Sequence, residues 1–394
     1  MAISDNVRES MKSSSWVRAM FETGIRLKKE HGAENVFDFS LGNPDLDPPP
    51  EFHREIKRII EENTRGLHGY MPNGGYPDVR NTIAKYVSGE YGVSISGDNV
   101  IMSCGAGGAL NVILKSILNP GDTVLTCAPY FMEYKAYVSN HGGKLHVVEG
   151  KSDFDLDVDG LERAIDDRTA AVIINVPNNP SGKVYPESTI ETLGKMLKRK
   201  SGETGRPVYL ISDEPYRRIV YNGIQVPSVL RNYTDSIVAS SYSKELSIPG
   251  ERIGWIAVNP DASDSKELMN AMVLCTRILG FVNAPALMQR VVGALPGQGV
   301  DIRPYERRKT LLCNGLRAAG YEFADPDGTF YLFPKAPGGD DMAFIEALQD
   351  ELVLAVPGRG FGAPGYFRIS YCVDEAVIER SLPAFEKVIK RFQR

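Results

Sequence analysis

The stretch SYSKELSIPGERIGW, residues 241–255, places one lysine, Lys244, among small hydroxyl residues, with Arg252 eight positions later. The runs on either side, SIVASSYS and RIGWIAV, have the continuous apolar character of strands that are covered on both faces of a sheet. A lone lysine at the end of a strand is by default solvated. The rest of the sequence indicates whether Lys244 has another purpose.

Bulk properties exclude several classes of protein. The 394 residues are 42% hydrophobic and 24% charged, which is typical of a globular protein, and the length predicts roughly two or three domains. A net charge of −5 argues against a nucleic-acid surface built on bulk positive charge. No apolar run has the length of a membrane span, and the N-terminus shows no signal-peptide core. Five cysteines without a CxxC pair favour free thiols rather than a metal site, so we expect a cytoplasmic protein.

Seven short apolar runs predict strands, and helix-period segments separate them. This alternation is typical of an α/β fold with a mostly parallel, seven-stranded sheet flanked by helices. Helices are predicted near 14–31, 77–90 and 108–118, the second with Pro77 in its first turn. The predicted strands are 100–102, 123–126, 145–148, 171–175, 208–212, 237–240 and 253–258.

The pattern changes after about residue 285. A predicted long helix (302–319) is followed by the runs YEF, TFYLF, LVLAV and FRISY and by a terminal helix (374–392), which is an α+β grouping. We therefore predict a large domain at residues 46–284. A smaller α+β domain is predicted to combine residues 1–45 with residues 285–394.

The segments that follow the strands carry the polar residues. In an open α/β sheet, ligands bind beyond the carboxyl ends of the strands, so these segments are predicted to face one crevice. Taken singly, each has an ordinary explanation: a packing turn, a pair of core aromatics, a simple turn, a helix cap, and a solvated lysine. The five segments are SCGAGGAL, CAPYFMEY, VPNNPSG, DEPYR and SYSK.

Five ordinary explanations at one edge of a sheet are jointly less plausible than a single ligand. Together the segments and Arg252 supply a glycine-rich turn at a helix N-terminus, an arginine, an aromatic face, an amide, a carboxylate, a phenol and an amine. Pyridoxal 5′-phosphate uses all of these. The amine forms a Schiff base with its aldehyde, the carboxylate keeps its pyridine nitrogen protonated, and the arginine binds its phosphate.

Eight ordered motifs resemble one family over nearly the whole chain. The segment SYSKELSIPGERIG is similar to the lysine signature of the class I/II aminotransferases, the fold-type-I pyridoxal-phosphate enzymes that include aspartate aminotransferase. The glycine-rich turn alone is a weak signal, whereas ordered motifs with matching separations are a strong one. The other seven motifs are SLGNPD, HGYMPNGGYPDVR, CGAGGAL, NVPNNPSG, SDEPYR, GTFYLFP and YFRIS.

The resemblance implies a role for each matching residue of the cofactor site. Lys244 would hold the cofactor and then move the substrate α-proton, with its pKa depressed by nearby cationic charge. Asp213 would pair with the pyridinium nitrogen, Tyr216 and Asn179 would hydrogen-bond the ring oxygen, and Phe131 would stack on the ring. The phosphate would be held by Arg252, Ser241, Ser243 and the backbone of Gly105, Ala106 and Gly107.

The same resemblance implies substrate and subunit contacts. Arg368 would clamp the substrate α-carboxylate through its planar fork, with Asn179 and the backbone of Gly42 beside it. Tyr70 resembles a tyrosine that reaches the phosphate from the neighbouring subunit, which implies a homodimer with shared active sites. Arg359, in VPGRGFG, is a candidate for recognising a second carboxylate, but a surface arginine is the favoured interpretation.

The implied activity is transamination between an L-amino acid and a 2-oxo acid, with aspartate or glutamate as the guessed donor. An aromatic or broad-specificity aminotransferase is the close alternative, because Met20, Phe21, Tyr130 and Phe330 are expected near the pocket. A lyase or synthase of the same fold stays open, and a non-enzymatic regulator is least favoured. The expected partners are amino-acid and 2-oxo-acid substrates, with no nucleic acid and no membrane.

Overall fold

The structure, a computed structural model, describes residues 3–4, 7–8 and 16–393, and for residues 16–19 and 21 it describes the backbone only. The helices are α1 (Trp16–His31), α2 (Pro50–Glu62), α3 (Pro77–Tyr91), α4 (Gly105–Ile117), α5 (Tyr134–Ser139), α6 (Val158–Ala164), α7 (Glu187–Thr204), α8 (Val229–Asn232), α9 (Tyr242–Glu245), α10 (Ser265–Ile278), α11 (Ala286–Gly293), α12 (Arg303–Ala319), α13 (Asp341–Asp350) and α14 (Glu375–Phe392). The strands are β1 (Phe37–Asp38), β2 (Val100–Ser103), β3 (Thr123–Cys127), β4 (Lys144–Val148), β5 (Thr169–Asn175), β6 (Tyr209–Asp213), β7 (Ser236–Ser241), β8 (Gly254–Val258), β9 (Tyr331–Leu332), β10 (Val353–Leu354), β11 (Val356–Pro357) and β12 (Phe367–Ser370).

The seven predicted strands form one sheet, in the order β2-β8-β7-β6-β5-β3-β4. Neighbouring strands run parallel except that β8 is antiparallel to both β2 and β7. Every residue of β2, β5, β7 and β8 is buried, which explains why these runs lack the alternation of a half-exposed strand. The predicted α/β fold with a mostly parallel sheet is confirmed.

The helix after β2 begins earlier than its predicted start at residue 108. α4 begins at Gly105, although the run GAGG has low intrinsic helix propensity. Packing overrides propensity here, because Leu110, Ile113 and Leu114 are buried in the layer above the sheet. The glycine-rich run is therefore the first turn of a helix, and its free backbone N–H groups lie at the carboxyl edge of the sheet.

The C-terminal part contains a second, antiparallel sheet in the order β11-β12-β9. The short strand β1 pairs in parallel with β10, so the N-terminal segment joins the C-terminal part. A separate hydrophobic cluster collects side chains mainly from residues 305–389, together with Met20 and Phe39. These contacts are those expected of the two-segment small domain, and the boundaries at 46–284 stay a prediction.

One predicted strand is wrong. The run YEF, residues 321–323, follows the helix C-cap Gly320 and has no strand structure. Its first side chain, Tyr321, is buried against the ring of Phe385, whereas Glu322 is exposed and pairs with Lys335. The backbone of these residues forms two isolated hydrogen bonds, from Tyr321 N to Leu316 O and from Lys335 N to Glu322 O, rather than the ladder of a strand.

The described residues contain neither a membrane-spanning helix nor a cluster of metal ligands. In this part of the chain, no helix is long and apolar enough to cross a membrane. The same residues contain no group of three or more His, Cys, Asp or Glu side chains that could hold a metal ion. The five cysteines are free thiols.

Candidate active site

A cavity of about 330 Å³ lies at the carboxyl ends of β5, β6 and β7, beside the first turn of α4. This is the edge of the sheet at which the sequence predicted a ligand. Phe361 and Arg368 reach the same cavity from the C-terminal part. The predicted site residues in its wall are Gly42, Ala106, Gly107, Phe131, Asn179, Asp213, Tyr216, Ser241, Ser243, Lys244, Arg252 and Arg368.

The first turn of α4 and the guanidinium of Arg252 form one end of the cavity. Gly105 has a φ of +71°, and a methyl group on it would lie 3.1 Å from Arg252 Nη2. Arg252 donates from Nη1 to the carbonyl of Pro249, at 2.9 Å, which fixes the direction of its side chain. The unsatisfied N–H groups of a helix N-terminus beside an arginine bind anions such as phosphate. Ser241 and Ser243 lie buried in the same wall.

Asp213 is a buried carboxyl with one oxygen unpaired. Its Oδ2 accepts a hydrogen bond from the Tyr134 hydroxyl at 2.7 Å, while Oδ1 has no hydrogen-bond partner among the described residues. Burial raises the pKa of Asp213 to about 7, the charge of Glu214 adds to that rise, and the Tyr134 hydrogen bond opposes it. Since an unpaired buried oxygen is costly, the site accommodates an N–H donor opposite Oδ1.

Lys244 stands at the end of the opening stretch with its amine inside the cavity. Nζ donates to the carbonyl oxygen of Gly42 at 2.7 Å. Burial lowers the pKa of Lys244 to about 8, and the charges of Arg368 and Arg252 lower it further. The predicted cationic neighbours are present, but burial is the larger cause. An amine with this pKa is partly neutral near pH 8 and can act as a nucleophile or base.

Arg368, in β12, is buried, and two hydrogen bonds and two aromatic rings fix the position of its guanidinium. Nη1 donates to Asn179 Oδ1 at 3.0 Å, and Nη2 donates to the Ser40 carbonyl at 2.7 Å. The guanidinium lies 4.5 Å from the Tyr331 ring centroid and 4.9 Å from that of Phe361. Its Nε has no partner within the described part of the chain. An anchored planar cation of this kind is suited to binding a carboxylate.

Gly42 owes its identity to Tyr331. A methyl group on Gly42 would lie 1.8 Å from the Tyr331 hydroxyl oxygen, so only glycine allows the backbone to approach. That hydroxyl is 2.9 Å from the hydroxyl of Tyr216, and burial raises the pKa of Tyr216 well above its usual value. Gly42, Tyr331 and Tyr216 therefore form one packed group beside Lys244.

Among the residues that sequence reasoning missed, three bear on the chemistry of the site: Tyr134, which lies behind the wall, and Tyr331 and Glu133, which line it. Tyr134 holds Asp213, Tyr331 holds Tyr216, and Glu133 places a carboxylate in the cavity. Tyr134 and Glu133 belong to the segment CAPYFMEY, of which the sequence predicted only Tyr130 and Phe131 near the ligand. Tyr331 belongs to the motif GTFYLFP, which was recognised without a role for its tyrosine.

Three predicted residues are not in the cavity wall: Gly105, which lies beside Arg252 at the edge of the cavity, Tyr70 and Arg359. Tyr70 is 92% exposed and lies in a separate surface hollow with Phe281. Arg359 is bound to Asp341, with Nη2 2.8 Å from Oδ1 and its backbone N 2.9 Å from Oδ2. Because this ion pair holds the guanidinium outside the cavity wall, the surface interpretation of Arg359 is the better supported one.

The apolar residues expected near the pocket are placed unevenly. The ring centroid of Phe330 is 5.6 Å from Lys244 Nζ. Met20, Tyr130 and Phe330 are absent from the cavity wall, and the side chain of Phe21 lies outside the described residues. The aromatic surface is instead supplied by Phe131, Tyr331 and Phe361.

Comparison with known proteins defines the class. The family model "Aminotransferase class I and II" matches residues 34–385. A solved amino transferase from Eubacterium rectale superposes with a TM-score of 0.97 and 41% identity over the whole of both chains. A probable aspartate aminotransferase of Methanocaldococcus jannaschii is 30% identical over 90% of this chain and 94% of its own. Aromatic-amino-acid aminotransferase 2 of Thermococcus litoralis is 29% identical over 99% of both.

The fold and the buried lysine site are thus those of an enzyme class that transfers amino groups. The chain belongs to the class I and II aminotransferase family and is an aminotransferase. Members of this family depend on pyridoxal phosphate and act on amino and 2-oxo acids.

Proposed function

We propose that the cavity binds pyridoxal 5′-phosphate and transfers an amino group from an L-amino acid to a 2-oxo acid. The observation that carries this proposal is the unpaired Oδ1 of Asp213 in the same cavity as the low-pKa amine of Lys244. A pyridinium N–H satisfies the first and an aldehyde reacts with the second. The fit is chemical as well as geometric, because both buried groups are costly without a ligand.

The residues of the wall divide into three binding groups. Arg252, Ser241 and Ser243, with the backbone of residues 105–107, would hold the phosphate. Phe131 would stack on the ring. Asp213, Tyr216 and Asn179 would hydrogen-bond the polar atoms of the ring.

Bound pyridoxal phosphate would supply an aldehyde that condenses with amines and a ring that withdraws electrons from the substrate Cα. Lys244 Nζ would hold the cofactor at rest and later move the proton of the substrate Cα. Arg368 would bind the α-carboxylate and so orient the Cα–H bond towards Lys244, with the carbonyl of Gly42 holding Nζ in place.

Two classes of amino donor have support. Aspartate or glutamate remains the sequence-based guess, and the name of the M. jannaschii relative favours it. An aromatic or broad specificity is the second candidate, because Phe131, Tyr331 and Phe361 line the cavity and a relative is named for aromatic amino acids. A lyase, a synthase and a non-enzymatic regulator have no such support.

We also propose a homodimer in which Tyr70 reaches the phosphate site of the neighbouring subunit. Its 92% exposure supports this role, because an aromatic ring that stays in solvent buries no apolar area and so does not stabilise the subunit. A cytoplasmic location stays a prediction.

The test is the visible absorption spectrum of the purified protein, together with the Lys244→Ala variant and Lys266→Ala, an exposed-lysine control. We expect the band of lysine-bound pyridoxal phosphate in the native protein and the control but not in Lys244→Ala. An amino acid added alone should remove the band, and 2-oxoglutarate should restore it. L-aspartate is the first donor to add, followed by aromatic amino acids. No band after addition of pyridoxal phosphate would overturn the proposal.

A further inference from the structure

Glu133 is a carboxylate in the cavity wall that nothing in the described chain neutralises. It follows Phe131 and Met132 and immediately precedes α5, and its carbonyl accepts a hydrogen bond from Tyr137 N at 2.9 Å. Its side chain is half-buried and forms no hydrogen bond or ion pair with the described residues. Burial raises its pKa.

The cations of the wall have other partners. Lys244 Nζ donates to the Gly42 carbonyl, Arg252 donates to the Pro249 carbonyl, and Arg368 donates to Asn179 and to the Ser40 carbonyl. Each also has a place in the proposed reaction. Within the described residues, the wall offers no further lysine or arginine for a second substrate carboxylate.

The surroundings of Glu133 strengthen its effect on a bound side chain. Leu110, Phe131, Met132 and Phe361 supply much of the remaining wall, so charges there are screened less than in water. A second carboxylate held in this cavity would repel Glu133 and leave both anions unpaired. An N–H group in the same position would instead donate to Glu133 as a charge-assisted hydrogen bond.

We infer that Glu133 is a specificity-determining residue that favours amino acids whose side chain ends in an N–H donor over those that end in a second carboxylate. The inference rests on the proposed function, because it assigns the side-chain preference of that same site, and within that function it disfavours the aspartate or glutamate donor guessed from the sequence. The simplest substrates of the favoured class are carboxamides, which have the shape of the dicarboxylic amino acids and lack their charge.

The test uses isosteric pairs: L-asparagine against L-aspartate and L-glutamine against L-glutamate. kcat/KM is measured for the native holoenzyme, for Glu133→Gln, which preserves size and removes charge, and for Glu149→Gln, an exposed-glutamate control. We expect the native enzyme and the control to prefer the amide of each pair. Glu133→Gln should lower that ratio roughly tenfold or more, as for loss of a charge-assisted hydrogen bond.

A binding measurement gives a readout that does not depend on turnover. Succinamate and succinate differ only in amide against carboxylate and carry no amino group to transfer. Their Kd values for the holoenzyme, measured by calorimetry, should favour succinamate in the native protein and lose that preference in Glu133→Gln.

Three results would decide against the inference or separate it from the proposed function. A native preference for the dicarboxylic member, or a ratio unchanged in Glu133→Gln, overturns it. If Glu133→Gln weakens the binding of both ligands equally and the dimer dissociates, Glu133 belongs to a subunit contact. That result also overturns the inference. If no amino acid is turned over but the succinamate preference holds and needs Glu133, the proposed function fails and the recognition role stands.

Discussion

Asp213 and Lys244 are buried titratable groups whose pKa values move in opposite directions for the same reason. Burial disfavours the charged form of each, raising the pKa of Asp213 to about 7 and lowering that of Lys244 to about 8. Each group therefore lowers the stability of the ligand-free protein at neutral pH. A ligand that pairs with both groups offsets this cost. The same two groups can therefore lower the stability of the ligand-free protein and favour binding of the ligand.

Asp213→Asn should stabilise the cofactor-free protein at high pH while abolishing most activity. The folded-state pKa lies above the unfolded value, so the native carboxyl binds its proton more tightly and the free energy of unfolding falls as pH rises from about 4 to about 7. The variant should gain up to about 4 kcal/mol above pH 7, since a pKa difference of one corresponds to about 1.4 kcal/mol. Urea unfolding of both cofactor-free proteins from acidic to alkaline pH measures this gain. A constant difference across that range would contradict the assignment.

Gly42→Ala should reduce kcat/KM by more than tenfold, because the added methyl group meets the Tyr331 hydroxyl at 1.8 Å and displaces the Tyr331–Tyr216 pair and the carbonyl that holds Lys244. Gly89→Ala is the matched control, since a methyl group there meets nothing within 4 Å. Gly89 lies in the last turn of α3, so alanine there should raise the stability of that control by at most about 0.5–1 kcal/mol, the gain expected in a helix interior. Full activity in Gly42→Ala would show that the close approach is not needed.

At the scale of the element, α4 shows how packing places an anion site. Its first turn is a glycine-rich run that would not form a helix by propensity, and buried side chains further along supply the stability. Gly105 adopts a φ of +71°, and a methyl group added to it would lie 3.1 Å from Arg252 Nη2. The element thus combines free N–H groups, a helix dipole and an arginine at one point.

Gly105→Ala should weaken pyridoxal-phosphate binding, because alanine is strained at positive φ and its methyl group presses on Arg252. The expected effect is a rise in cofactor Kd of about tenfold or more, for a strain of about 1–3 kcal/mol. Titration of cofactor-free protein, followed by absorbance, measures it. Gly250→Ala, beside Arg252 in sequence but with open space around it, should bind the cofactor normally. An unchanged cofactor Kd in Gly105→Ala would show that the phosphate does not bind at the N-terminus of α4.

At the scale of the whole molecule, one predicted site residue, Tyr70, would reach an active site only in the proposed homodimer. Tyr70 is 92% exposed, and the neighbouring helix α10 exposes Leu274 and Ile278 before it leads to Phe281. Isolated apolar side chains at a surface are common, so their exposure alone does not define an interface. What supports a dimer is that the phosphate end of the cavity lacks the tyrosine that the motif predicts.

Mixing subunits tests whether active sites are shared. Lys244→Ala and Tyr70→Ala, each nearly inactive by itself, should regain activity when co-expressed or refolded together, because a mixed dimer contains one site with both native residues. Random pairing would leave about a quarter of all sites intact. A mixture of Lys244→Ala with Asp213→Asn is the control, since both residues belong to the same subunit's cavity and no mixed site is complete. Equal activity in the two mixtures would place Tyr70 outside the neighbour's site.

The sequence by itself determined the order of the strands along the chain and the α/β class, and with the family resemblance it named twelve of the 21 residues of the cavity wall. It did so because strands buried on both faces leave continuous apolar runs and because the residues after parallel strands must meet at one edge. Lys244 and Asp213 were therefore predictable as members of one site, whereas only the family resemblance placed Arg368 in it. The resemblance to the aminotransferases then assigned them roles.

Only the tertiary structure decided which partners those residues have. The hydrogen bonds of Asp213 with Tyr134 and of Arg368 with Asn179 join residues 79 and 189 positions apart, and no local pattern encodes such pairs. The start of α4 and the loss of the YEF strand also depended on packing against distant side chains. The unpaired state of Glu133 is likewise a property of the folded cavity, because it depends on which cations are already bound elsewhere.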